Sequence, residues 1–244
     1  MNHHSLSAAK TFGFVLVLLL ALFSTTAAAA QQAGLKEVVG ALEKGYATLQ
    51  DVQAGFSQTT TISAIKKVQR GHGEVMLKRP ASASAMFRFD YKKPKQQIIS
   101  NGKQVWFHIP ENKQVMVSSI AGMFKGGNGI ALTYLTGLGH VSRDFNIAFA
   151  KNPRDKKGNY QLELIPRKPT AVLAKLHLTI DQSAVETFMA NGEVKDIFPI
   201  VASVIFDAGG NETRLTYSNT RVNRGISSSR FNFKVPAGVE VIKQ

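Results

Sequence analysis

GEVMLKRPASASAMFRFDYKKPKQQIISNGKQVWFHIPENKQV, residues Gly73 to Val115, alternates apolar and polar side chains with period two, the repeat of a half-buried strand. Val75, Leu77 and Arg79 fall on one face of the first run, and Phe87, Phe89 and Tyr91 on one face of the next. The pattern continues through Gln97–Ser100, Val105–Ile109 and Val115–Val117, with breaks at Lys93-Pro94, Asn101-Gly102 and Pro110-Glu111-Asn112. Asn101-Gly102 predicts a type I′ hairpin, because both residues tolerate positive φ. Strands joined by such short turns form an antiparallel meander.

Outward from this stretch the periodicity changes. Leu35, Val38, Val39, Leu42, Tyr46 and Leu49 recur at spacings of three and four, predicting one amphipathic helix over residues 32–51, followed by strand from Ala54. On the other side, glycine-rich sequence from Gly122 to Gly129 abandons alternation. It gives way to Ile130, Leu132, Tyr134 and Leu135, read as an apolar helical segment ending near Gly137. Strand signals resume at Phe145–Phe149, Tyr160–Ile165, Leu173–Ile180, near Val194, and at Ala202–Phe206, Thr213–Tyr217 and Phe231–Val235. With no internal repeat, about ten strands and two helical pieces share one domain, 31–244, as a curved sheet enclosing a helix.

The first thirty residues predict export. Lys10 precedes the apolar run Phe12–Phe23, and small residues at Ala28 and Ala30 suit cleavage before Gln31. The run is short for a bilayer span and no second one follows, so a soluble mature chain is expected. The absence of cysteine excludes disulfides, thiol nucleophiles and a lipid-modified cysteine, and a periplasmic location fits. Removing residues 1–30, which hold Lys10 and no acid, leaves 29 basic and 16 acidic side chains, a balance of +13. In an exported protein this charge argues against nucleic acid and leaves phospholipid headgroups available. Clusters such as Lys66-Lys67, Lys92-Lys93-Lys95 and Lys156-Lys157 are also what solvated turns guarding strand edges would carry.

Catalytic patterns fail one by one. His72, His108, His140 and His177 are scattered and form no zinc spacing. There is no nucleophile elbow and no phosphate-cradling glycine loop. Asp181 and Glu186 read as ordinary solvated carboxylates of a turn rather than an acid pair. No metal or cofactor is expected, and no enzymatic activity. Arg79 stands apart: strand alternation aims it with Val75 and Leu77, where a guanidinium is costly unless acceptors meet it. Alternatively it lies at the strand end beside Pro80 and reaches water; alternation leaves both readings open.

The Gly73–Val115 run resembles the LolA family of periplasmic lipoprotein carriers. The shared order is glycine, strand apolars, Lys-Arg-Pro, spaced aromatics, proline, an Asn-Gly turn and Val-Trp-Phe. LQDVQAGFSQT (Leu49–Thr59), LTYLTGLGHVSRDFNI (Leu132–Ile147) and FNFKVPAGVEVI (Phe231–Ile242) are similar to other parts of that family. The resemblance implies an incomplete antiparallel β-barrel with helices forming a lid over a hydrophobic cavity. It implies a monomeric carrier of lipoprotein acyl chains, loaded by an inner-membrane ABC transporter and unloaded to an outer-membrane receptor. Arg79 matches the family's lid-latching arginine. Phe87 and Phe89 match its cavity aromatics, and Val75, Leu77, Ile99, Phe107, Leu132 and Leu135 are expected to line the acyl-chain cavity with them. Ala81–Ala85 lengthens the link between Pro80 and the aromatic strand relative to the family. A lipid-binding or stress-sensing protein on the same half-barrel is the alternative, because a fold does not fix its cargo. A hydrolase of acylated substrates would need a nucleophile and base that the motifs lack.

Overall fold

The computed structural model describes residues 33–80, 84–120, 141–194 and 197–243. Helix α1 (Leu35–Thr48) is followed by β1 (Asp51–Ile62), β2 (Lys67–Lys78), β3 (Met86–Lys93), β4 (Gln96–Ser100), β5 (Gln104–Ile109) and β6 (Gln114–Ser119). A single turn of helix, α2 (Val141–Asp144), leads into β7 (Phe145–Arg154), β8 (Tyr160–Pro166) and β9 (Lys175–Ile180). Helix α3 (Gln182–Asn191), β10 (Ile200–Phe206), β11 (Glu212–Val222) and β12 (Glu240–Lys243) complete the order.

All twelve strands form one open, curved sheet in the order β12-β6-β5-β4-β3-β2-β1-β11-β10-β9-β8-β7. The fold is mainly β, a curved sheet as the alternation predicts, and an incomplete barrel as the family resemblance implies. Neighbours pair antiparallel except β12 with β6, which run parallel. The register slips between Gln53 and Gly55 in β1, and at His72/Gly73 in β2. Such bulges bend strands and sharpen twist. No helix among the described residues is long and apolar enough to cross a membrane.

The sheet has two unlike faces. On the inner face, Val52, Ala54 and Phe56 of β1, Val75 and Leu77 of β2, and Phe87 and Phe89 of β3 join Val38, Ala41, Leu42 and Tyr46 of α1 in one buried cluster. The helix is shorter than the predicted 32–51, because Gly34 caps its start and the backbone is extended at Leu49. Its buried stripe is the predicted one: Val38, Leu42, Tyr46 and Leu49 are in the core, with Leu35 and Val39 partly buried beside it. Gly45 is where α1 comes closest to the chain before β10: a Cβ there would sit 2.9 Å from the Ile197 carbonyl oxygen. On the outer face, Ile99, Trp106 and Val115 form a smaller cluster with Phe233, Val235 and Val239.

Four sequence expectations change. Phe231–Val235 alternates like a strand, but Ser228–Phe231 is a 3-10 turn and Phe233 and Val235 pack across the outer face. The ladder pairing goes instead to β12, beyond Pro236. Among the described residues around Val194 there is no strand: Gly192 (φ 69°) ends α3 and Val194 packs towards Gly45. Helix α3 itself was hidden because its stripe is weak, with only Ala184 and Val185 buried; Asp181, expected as a solvated turn acid, is its N-cap and accepts from the Ala184 N–H at 3.1 Å. At Asn101-Gly102 the hairpin forms, but only Gly102 takes positive φ (87°). Asn101 Oδ1 instead accepts from the Lys103 and Gln104 N–H groups at 3.0 Å, an Asx turn in place of type I′.

Candidate functional site

An aromatic wall occupies the inner face of β1 to β3. Register places Val75 opposite Phe89 and Leu77 opposite Phe87. The Phe56 ring meets Phe89 at 5.3 Å and Tyr91 at 4.8 Å, both edge-on, the arrangement ring quadrupoles favour. Gly73, facing Phe56 across the ladder, leaves no room for a side chain: a Cβ would fall 2.0 Å from the Asp90 carbonyl oxygen. Tyr91 closes one end of the wall by donating to Gln58 Oε1 at 2.7 Å, and burial pushes its phenol up to about 12. The wall continues through register pairs Phe89–Ile98 and Ile98–Phe107.

The predicted lining residues separate on this geometry. Val75, Leu77, Phe87 and Phe89 come together and are buried in the cluster that α1 covers. Phe107 follows them on the same face, half-buried. Ile99 does not join them: it is fully buried in the outer cluster with Trp106. Ile98 holds the inner position in its place, because adjacent residues of a strand point to opposite faces. Leu132 and Leu135 lie outside the described residues.

Arg79 lies just past the end of β2, half-buried. Its N–H donates to the Gln50 carbonyl at 2.7 Å and its guanidinium donates through Nη1 to the Tyr46 carbonyl in the last turn of α1. Both sequence readings hold in part: the residue is at the strand end, and acceptors meet its charge. The last turn of α1 has no basic residue of its own, so Arg79 supplies the cation that a helix C-terminus favours. Tyr46 carries a second peculiarity, a buried hydroxyl with no hydrogen-bond partner among the described residues. Burial drives its phenol well above the ordinary range.

The junction from α1 to β1 is tied down from the other end of the chain. The buried Asp51 carboxylate accepts from the N–H groups of Arg224 (2.9 Å), Gly225 (2.9 Å) and Ile226 (3.2 Å). Asn223 Oδ1 accepts from the Gln50 N–H at 2.8 Å while its amide donates to the Thr48 carbonyl at 3.0 Å. Nothing in the local pattern around Asp51 announces this, since its partners are more than 170 positions away.

A cleft of about 710 Å³ opens along the outer flank of α1, between that helix, β7 and α3. Leu35, Val39, Phe145, Ile147 and Phe188 give it an apolar floor, and Lys36, Glu37, Glu43 and Arg167 stand among its polar lining. Of the sequence-predicted cavity residues that are described, none lines it. The signal was present as the Leu35–Val39 spacing and the Phe145–Ile147 alternation, but only folding brings those elements together. Of the histidines, His177 Nε2 lies 2.9 Å from Glu163, and that contact together with Lys175 holds the carboxyl below its usual range. His108 contacts Gln97 Oε1 at 3.2 Å. No group of three metal-ligating side chains occurs among the described residues.

An open curved sheet with an aromatic inner face, closed by an N-terminal helix that an arginine holds at its C-terminus, defines a binding protein for apolar ligands. Residues 47–234 match the family described as outer membrane lipoprotein carrier protein LolA, and the chain belongs to that family. It is a family of carriers, and its members act as transport chaperones without catalysing a reaction. The chain is 25% identical over 231 residues to the outer-membrane lipoprotein carrier protein of Azotobacter vinelandii, covering 94% of this chain and 98% of that one. It is 30% identical over 203 residues to that of Methylibium petroleiphilum, covering 82% and 87%. Among solved structures, an uncharacterized conserved protein from Thermus thermophilus aligns over 86% of this chain and 98% of its own, with a TM-score of 0.48 and 13% identity.

Proposed function

We propose that this chain is a monomeric periplasmic carrier, exported by cleavage of its first thirty residues. It takes lipoprotein acyl chains from an inner-membrane ABC transporter and delivers them to an outer-membrane receptor. The observation that carries the reading is the contact of Arg79 with α1 above the buried wall of Val75, Leu77, Phe87 and Phe89. Acyl chains gain about 0.8 kcal/mol per buried methylene, so a carrier must offer apolar surface of comparable quality, yet not so much that the cargo cannot leave. A wall covered by a helix meets both demands. When α1 lifts, Phe107 and the aromatics of β3 face the incoming chains; when it returns, the Arg79 hydrogen bond forms again. The energy of that bond favours the emptied protein and so opposes loading and assists release.

The test is a photo-crosslinking amino acid placed at Phe89 or Phe107 in growing cells. Capture of lipoproteins, lost when their acylation is blocked, is the expected outcome. Capture of free phospholipid alone would replace the reading with a lipid binder.

A further inference from the structure

The hairpin joining β1 to β2 extends past β3 on one side, while β11 accompanies β1 as far as Thr61 on the other. β1 and β2 pair out to Ile62 and Lys67, whereas β3 joins β2 only from His72. Every residue from Ser63 to Arg70 is exposed. At the tip, Ile65 is 65% exposed, more than any other large apolar side chain in the described residues, and Val68 on the same hairpin is 44% exposed. Turns are ordinarily polar, so an isoleucine at the apex is a cost in water with no return inside this molecule.

The tip is held in place. The Ser63 N–H donates to Asn211 Oδ1 at 3.0 Å and its hydroxyl donates to the Gly210 carbonyl, fastening the hairpin to the turn between β10 and β11. Beside it stand Lys66, Lys67 and Arg70, and further back along the hairpin, where β3 joins β2 at His72, come Lys92 and Lys93 of β3 with Lys95 just beyond that strand. The nearby acids are engaged: Glu74 pairs with Lys92 at 3.4 Å and Glu212 with Arg214 at 3.2 Å. Lys66, Lys67, Arg70, Lys93 and Lys95 form no ion pair among the described residues.

We infer that this hairpin docks the protein on anionic phospholipid bilayers, with Ile65 and Val68 entering the interface and the surrounding cations meeting headgroup phosphates. An exposed apolar tip flanked by cations suits a soft, uniformly charged surface, whereas a protein partner would be expected to meet a broader patch. The rigid tip lowers the ordering cost of such docking. This goes beyond the carrier reading and does not depend on it, because the hairpin tip is separate from the wall under α1.

Ala33–Gln244 forms one compact unit, so the chain from Gln31 is used for the test. It is sedimented with phosphatidylglycerol-containing vesicles and with phosphatidylcholine vesicles. Expected is retention on the anionic vesicles only, reduced about tenfold by Ile65→Ser and, separately, by Lys66→Gln with Lys67→Gln, and unchanged by Ile165→Ser on β8. Circular dichroism checks that each variant is folded. Equal retention on both vesicle types, equal retention of Ile65→Ser and the parent, or binding to polyglutamate as strong as to the vesicles would overturn the inference, the last by pointing to an acidic protein instead.

Discussion

Arg79 and Tyr46, thirty-three positions apart, are joined by a hydrogen bond from the guanidinium to the main-chain carbonyl, so the residue just past β2, which contributes Val75 and Leu77 to the wall, also holds the helix that covers it. The bond acts on the helix backbone, at the end where the helix dipole is negative. It therefore restrains α1 without filling any of the apolar space beneath it.

Replacing Arg79 with leucine removes this restraint and adds an apolar side chain at the rim. The variant should bind lipoprotein as well as the parent or better, and should fail to pass it on. Purified complexes incubated with receptor measure this directly; transfer at the parent rate would refute the role assigned to Arg79.

The Tyr46 hydroxyl is buried without a partner among the described residues, and an unsatisfied buried hydroxyl costs about 1–3 kcal/mol. Tyr46→Phe should therefore stabilise the helix-covered protein by about 1 kcal/mol or more, read as a raised Tm by calorimetry. If the covered form is the empty one, the same variant should load cargo more slowly. A lowered Tm would show that the hydroxyl is satisfied in solution.

Asp51 should matter more than its lack of a catalytic role suggests. Asp51→Ala removes the buried acceptor of the N–H groups of residues 224–226 and is expected to cost about 1–3 kcal/mol in urea unfolding. Asp51→Asn, which keeps an acceptor oxygen, should cost less. Hydrogen exchange should localise the loosening in both to the end of α1 and the start of β1.

His108 sets a pH dependence. It is 8% exposed, and burial lowers its pKa from the ordinary 6.5, so the folded protein favours the neutral ring and the unfolded chain binds the proton more readily. The contribution is complete above about pH 6.5 and is lost as pH falls from there through the folded-state value. Urea midpoints should drop between pH 7.5 and pH 5.5, and His108→Leu should show a smaller drop. Glu163, whose pKa is depressed, adds its own loss only on further acidification below about 4.5, outside that window.

Much of this protein was legible in the chain because period two and period 3.6 are local properties. They identified α1 by its stripe from Leu35 to Leu49, most of the sheet, and the shared face of Val75 with Leu77 and of Phe87 with Phe89. The family resemblance singled out Arg79, which is hydrogen-bonded to the last turn of α1. Local reading failed where a long-range partner decides the outcome. Ile99 was assigned to the wall although Ile98 holds the inner position, since one residue of register exchanges the two faces of a strand and the sequence alone does not set it. Phe231–Val235 alternates but spends its apolar side chains on Trp106 and Ile99. The sequence by itself therefore determined which segments could be strands and which helix face is greasy. Only the tertiary structure decided that Asp51 ties the two ends of the chain together, that Arg79 finds the Tyr46 carbonyl, and that Ile65 is left without cover, because each of these depends on groups brought into contact by folding and not by neighbourhood along the chain.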